Sequence, residues 1–274
     1  MAVTMADVTK LRKMTGAGMM DCKNALTEAN GDFDQAIKII REKGQAVAAK
    51  RSDRDASEGC VLVKAVDGFG AIIALKCETD FVAKNADFIK LASDILDAAI
   101  ANKCKTLDEV KTLPLGDVTV AQAVIDRSGI TGEKMELDGY MTLEGASIAT
   151  YNHQHKNFLC TMVLLNKVVE GSVGHDIAMQ VAAMSPIAVD EKGVPEAVLA
   201  QEKEIAAEKA RQEGKPENMI EKIALGRLSK FYKEACLLKQ EYVQDAKLTV
   251  ADYLKTFDKE LTVVDFKRFT LRAE

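Results

Sequence analysis

The sequence predicts an α+β protein, and three observations carry that prediction. Residues 58–100 and 144–183 each read as strand, turn, strand, helix by the spacing of their apolar positions. Residues 1–45 and 195–234 have helical spacing instead. Residues 260–272, ELTVVDFKRFTLR, alternate as a final strand.

The 274 residues allow one large domain or two to three small ones, and a hydrophobic fraction of 47% is enough for a core. The net charge is -5 and the basic residues are scattered, which argues against nucleic-acid binding by bulk electrostatics. Cys22, Cys60, Cys77, Cys104, Cys160 and Cys236 form no CxxC pair, and four lie in apolar segments. They read as reduced thiols, so a cytoplasmic location is expected. The start of the chain shows neither an apolar signal core nor a basic transit pattern. No run of about 18 apolar residues occurs, so no membrane span is expected.

Three short helices are predicted in residues 1–45. Thr4 caps the first, with Asp7 three positions on and Val3 and Val8 at staple spacing; Gly16 ends it. The second presents Cys22, Ala25, Leu26 and Ala29 on one face, extended by Met19. Met20 falls on the other face with Lys23, where it is either a contact residue or a side chain folded over its own turn. Asp32 with Gln35 opens the third helix and Gly44 is expected to close it. Residues 46–57, AVAAKRSDRDAS, read as a partly helical connection.

The two strand-strand-helix segments look like copies of one plan. Glu58-Gly59 is matched by Glu144-Gly145, the turn at 67–70 by 153–157, and the strand at 71–75 by 158–165. Helices at 88–100 and 175–183 follow. Residues 195–234 are charged and helical, broken at Gly214-Lys215-Pro216 into a helical hairpin. Its expected seam is Leu199, Ile205 and Ala206 against Ile220, Ile223, Ala224 and Leu228. The strand at 260–272 is expected to return to the core sheet, which makes the hairpin an insertion.

Enzyme chemistry has little support. There is no phosphate loop, no GxGxxG and no HExxH. His153 and His155 would share a face on a strand but lack a third ligand, so exposed polar residues are the simpler reading. Cys77 has no positioned base and reads as a buried strand thiol rather than a nucleophile. Residues 77–85, CETDFVAKN, pose the main question. Phe81 stands where a strand hands over to a helix. Either it packs inward while Asp80 caps a turn, or the pair faces outward as a rigid acid-plus-aromatic wedge.

TDFVAKN at 79–85, LRKMTGAGMMDCKNAL at 11–26 and GKPENMIEKIALGRLSKFYKE at 214–234 resemble the motifs of the elongation factor Ts family, in that family's order. Family members are guanine-nucleotide exchange factors for the GTPase elongation factor Tu. The resemblance implies a ubiquitin-associated-like three-helix bundle with its linker at 1–55. It implies core subdomains at 56–140 and at 141–190 with 235–274, and an inserted helical hairpin at 191–234 that is a candidate for homodimer formation. It also implies that Thr79, Asp80, Phe81 and Val82 dislodge Mg²⁺ from the partner, which places Phe81 outward. Arg12, Met19, Met20, Lys23, Thr131, Gly132 and His153 are the implied partner contacts. Asn85 stands where the family often has Asp, and either residue caps a helix. No catalytic residue, metal or cofactor of the chain's own is expected, nor nucleic-acid or membrane partners. The alternative is a non-catalytic scaffold that binds a protein through its N-terminal bundle.

Overall fold

The computed structural model describes residues 3–272. Three helices open the chain: α1 (Met5–Thr15), α2 (Met19–Glu28) and α3 (Phe33–Lys50). Thr4 and Asp7 form a capping box on α1, and Gly16, at φ 71, ends it in the left-handed conformation. Val8, Leu11, Cys22, Ala25, Leu26 and Ala36 make the core of this bundle, with Val3, Met19 and Phe33 packed against it. Cys22 to Ala29 thus form the inward face that their spacing predicts, while Met20 is 65% exposed.

The expectation that Gly44 closes the third helix is corrected. Helix α3 runs through it to Lys50 and absorbs the first part of the expected connection. Gly44 instead lies where the backbone comes close to Gly129, and Gly129 is the glycine that the approach requires: a Cβ on it would lie 2.3 Å from the Gly44 Cα.

The first sheet has the order β1-β2-β5, from β1 (Glu58–Val66), β2 (Phe69–Cys77) and β5 (Met135–Glu144). Strand β2 is buried at every position but Lys76, as a central strand covered on both faces requires. Between β2 and β5 lie α4 (Asp80–Ala83), α5 (Ala86–Ala101), α6 (Leu107–Thr112), the ribbon β3 (Pro114–Leu115) and β4 (Val118–Thr119), and α7 (Val120–Thr131). Helix α5 buries Phe88, Ala92, Ile95, Leu96, Ala99 and Ile100, a stripe at three-to-four-residue spacing.

The second sheet is β10-β7-β6, from β6 (Ser147–Asn152), β7 (Leu159–Leu165) and β10 (Val263–Thr270). Strand β10 pairs antiparallel with β7, from Val263 opposite Leu165 to Thr270 opposite Leu159. The chain between them forms α8 (Val173–Met184), α9 (Glu196–Gln212), α10 (Glu217–Ala235), the ribbon β8 (Glu241–Tyr242) and β9 (Asp245–Thr249), and α11 (Val250–Lys255). Val163, Leu165, Ile177, Val181, Leu237, Val250, Leu254 and Val263 share one core.

Both sheets follow one plan. The second strand of a hairpin is central, and the last strand of the segment joins its far edge. The repeat extends further than the strands and their first helix. Val118-Thr119-Val120-Ala121 and Leu248-Thr249-Val250-Ala251 each end a two-stranded ribbon and start a helix. Thr119 accepts the Gln122 amide and Thr249 the Asp252 amide in the same capping role.

By internal contacts the chain divides into two compact units. One takes in Met1–Leu62, Ile73–Met141 and Leu271–Glu274, and the other Val63–Ile72 and Thr142–Thr270. The helical hairpin belongs to the second. Its seam is Ala206 and Ala210 on α9 with Ile220, Ala224 and Leu228 on α10. Ile205 lies off the seam at 38% exposure, one residue out of phase, and Ala210 completes the inner row. Leu199 packs lower, with Val198, Phe231 and Tyr232 around Val194 and Cys236.

Candidate functional site

Residues 77–85 form a short rigid projection. After β2 the chain turns through Glu78 and Thr79 into the four-residue helix α4, which buries none of its residues. Thr79, not Asp80, is the N-cap; its hydroxyl accepts the Val82 amide at 3.4 Å. Asn85 caps the next helix, accepting the amides of Asp87 at 2.9 Å and Phe88 at 3.3 Å. Thr79 therefore caps the start of Asp80–Ala83, and Asn85 starts the next helix directly after it. Phe81 is 84% exposed between them, whereas Phe88 is fully buried. Most large apolar side chains avoid such exposure, so the Phe81 ring is the outstanding apolar feature of this unit's surface.

Asp80 receives a hydrogen bond from the Lys84 ammonium at 2.5 Å. That bond holds its carboxyl below the usual range, so Asp80 is anionic at neutral pH. Cys77 Sγ donates to the Thr79 carbonyl at 3.2 Å. Burial first, then the Glu133 carboxylate, pushes this thiol up to about 12. A thiol held there is no nucleophile at neutral pH, which weighs against thiol chemistry at this site.

The turn is held from below by two carboxylates. Glu133 Oε2 accepts the amides of Glu78 and Thr79 at 3.2 and 3.0 Å, and Glu133 Oε1 accepts the Thr79 hydroxyl at 2.6 Å. Glu78 in turn accepts the Lys134 amide at 2.6 Å, Arg51 at 3.2 Å and Arg54 at 3.0 Å. Thr131 and Gly132 end α7 directly before this clamp; Gly132 takes φ 73 and donates to the Ser128 carbonyl. None of Glu133, Glu78, Arg51 or Arg54 was singled out from sequence, because Glu133 lies 54 residues from Thr79 and no local pattern signals the pairing.

The Lys134 amide, then Arg54 and Arg51, hold the Glu78 carboxyl below its ordinary 4.5. A carboxyl depressed in the folded state adds stability above its unfolded pKa and loses it as pH falls through the folded value. The stability gap between wild type and Glu78→Gln should therefore be full at neutral pH and close in acid. Urea midpoints at about pH 7 and about pH 3.5 check this. Asn85→Ala should cost about 1 kcal/mol by the same assay, through the lost cap of α5.

The other predicted contacts fall in several places. Arg12 is in the last turn of α1, and Met19, Met20 and Lys23 are in the first turns of α2. Arg12, Met20 and Lys23 are exposed, while Met19 packs partly against the bundle core. A groove of about 560 Å³ in the same unit is lined by Ala17 and Gly18 before α2, Gly44 of α3 and Arg51 directly after it, and Thr131 and Gly132. His153 belongs to the second unit. His153 and His155 share no strand face: both lie in a 3₁₀ turn after β6, within the turn expected at 153–157, and Gln154 and His155 have φ of 52 and 53. His153 Nδ1 is 3.1 Å from the Tyr151 hydroxyl and its ring meets Phe158 edge-on. Among the described residues no group of three His, Cys, Asp or Glu is placed to hold a metal ion. No helix of the described residues is long and apolar enough to cross a membrane.

Residues 78–273 match the family described as Elongation factor TS. The chain is similar along its whole length, and along theirs, to two proteins named Elongation factor Ts, from Bacteroides fragilis at 61% identity and Porphyromonas gingivalis at 57%. The chain belongs to the elongation factor Ts family. The family match begins at Glu78, so it takes in the capped Asp80-Phe81 projection and the Glu133 clamp, while the three N-terminal helices enter through the full-length relatives.

Proposed function

We propose that this protein is a guanine-nucleotide exchange factor: it binds elongation factor Tu carrying GDP and promotes GDP release, so that GTP can bind. The observation that carries this reading is the Phe81 ring, 84% exposed on a one-turn helix capped by Thr79, with an anionic Asp80 beside it. In this reading Thr79, Asp80, Phe81 and Val82 form a wedge. Phe81 fills an apolar cleft of the GTPase near its Mg²⁺ site, and Asp80 perturbs the groups that hold the metal and the phosphates. Arg12, Met19, Met20 and Lys23 contact the nucleotide domain, as do Thr131 and Gly132 beside the wedge and His153 in the second unit.

Thermodynamics limits how this works. Coupling is reciprocal, so the factor weakens GDP binding only as much as GDP weakens the factor's. A weakening of about 10⁴-fold needs about 5.5 kcal/mol of differential contact. One buried Phe supplies roughly 1.5–3 kcal/mol, so the remaining contacts must supply the rest. No reaction is catalysed by the chain's own groups in this reading, and it requires no cofactor. The protein would work in the cytoplasm beside its GTPase, which agrees with six cysteines that are all free. The helical hairpin is available for pairing with a second copy.

The test is release of a fluorescent GDP analogue from elongation factor Tu in excess GDP, with and without this protein. Acceleration supports the reading, and no acceleration by the folded protein removes it.

A further inference from the structure

We infer that Glu133 is the positioning residue of the wedge: its carboxylate fixes the direction in which Asp80 and Phe81 project. The inference rests on the exchange-factor reading above.

Helix α4 has four residues and buries none of them fully, with Val82 and Ala83 only half-buried, so packing of its own side chains gives it a weak hold. A helix of one turn is also unstable on its own. What remains are its ends. At the C-terminal end, Asn85 caps α5. At the N-terminal end, Glu133 accepts three hydrogens, from the Glu78 amide, the Thr79 amide and the Thr79 hydroxyl. These donors stand at the base of the wedge, directly before Asp80. The Thr79 hydroxyl that donates to Glu133 also accepts from the Val82 amide, so one hydroxyl joins the carboxylate to the first turn of α4. Glu133 is itself fixed: its carbonyl accepts the Ser128 hydroxyl at 2.6 Å, and its amide donates to Thr131 Oγ1 at 3.3 Å.

A carboxylate suits this place better than an amide. All three partners donate, and an ionised carboxylate only accepts. Gln at 133 keeps an oxygen for the two backbone amides, but its NH₂ faces the Thr79 hydroxyl and forces that group to give up its donor role. Ala leaves two half-buried amides without a partner and frees the turn. The expected order of damage is therefore Ala above Gln.

Two measurements separate positioning from general support of the fold. In GDP release from elongation factor Tu, Glu133→Ala should lower the stimulated rate by about tenfold, and Glu133→Gln by about threefold. In an Asp80→Ala/Phe81→Ala background, Glu133→Ala should lower the rate further by less than about twofold, because both side chains to be positioned are gone. An undiminished effect of Glu133→Ala in that background would overturn the proposal, as would full activity of Glu133→Ala beside a working wild type.

The second measurement needs no partner. The chain has no Trp, so Phe81→Trp places a sole reporter on the wedge. Its fluorescence anisotropy should fall when Glu133→Gln or Glu133→Ala is added, and unchanged anisotropy in both would overturn the proposal. Glu133→Gln serves both measurements if Glu133→Ala does not fold. A wild type that fails to release GDP would count against the exchange reading, whereas the anisotropy still reports on Glu133.

Discussion

Phe81→Ala is expected to lower the stimulated release of GDP from elongation factor Tu by about tenfold to a hundredfold. The figure follows from the ring's transfer out of water. The free protein leaves Phe81 84% exposed, so almost all of its apolar surface is still available to be buried against a partner. Burying it fully is worth roughly 1.5–3 kcal/mol, and each 1.36 kcal/mol is about a factor of ten in rate. The contribution counts toward exchange only if the cleft that receives the ring is better formed in the nucleotide-free GTPase. The variant should still bind the GTPase, because the contacts proposed for the N-terminal helices and for Thr131 and Gly132 do not involve this ring. Its own unfolding midpoint should stay within about 0.5 kcal/mol of wild type, since an exposed side chain holds little of the fold. Stopped-flow release of the fluorescent nucleotide, with a binding titration beside it, checks all three. A variant that binds and stimulates fully would sink the wedge.

How far Phe81 could be read from sequence alone shows where such reading ends. Phe88, seven residues on, belongs to a sixteen-residue helix whose repeated stripe marks it as core, and it is fully buried. Phe81 belongs to a single turn, where no period can be counted, and inward and outward placements remain equal in pattern. Caps were legible for a related reason: Thr4, Asp32 and Asn85 act on amides two or three residues away, so cause and effect share one stretch of sequence. Glu133 acts on amides 54 and 55 residues away and had no local signature. The histidines were legible as turn residues. Alternation places His153 and His155 on one strand face only while the strand continues, and the left-handed residues Gln154 and His155 end it. Glycine carried two meanings that sequence does not separate. Gly16 ends a helix through its φ, whereas Gly44 stays within one, where the backbone of Gly129 passes close by.

The Gly44–Gly129 crossing gives the second large effect, and its asymmetry makes it sharp. A Cβ on Gly129 would stand 2.3 Å from the Gly44 Cα and 3.1 Å from its carbonyl carbon, all of it backbone that cannot swing aside. A Cβ on Gly44 would stand 3.4 Å from the Gly129 Cα, an ordinary contact. Replacing either glycine by alanine gains up to about 1 kcal/mol of helix propensity. Gly44→Ala should therefore be neutral or slightly stabilising, while Gly129→Leu should cost about 3 kcal/mol by forcing α3 and α7 apart. The separation also reaches the site. Helix α3 ends beside Arg51, and α7 ends at Gly132, directly before Glu133 and Lys134. Both helices thus deliver partners to Glu78 and Thr79, and moving one against the other strains the clamp beneath Phe81. Urea unfolding of the two variants should give changes of different size, and different sign if the propensity gain is realised at Gly44. Gly129→Leu should lose GDP-release activity under conditions where it is still folded, and Gly44→Ala should keep it. No destabilisation and full activity of Gly129→Leu would mean that the helices slide apart freely and that their crossing does not hold the wedge in place.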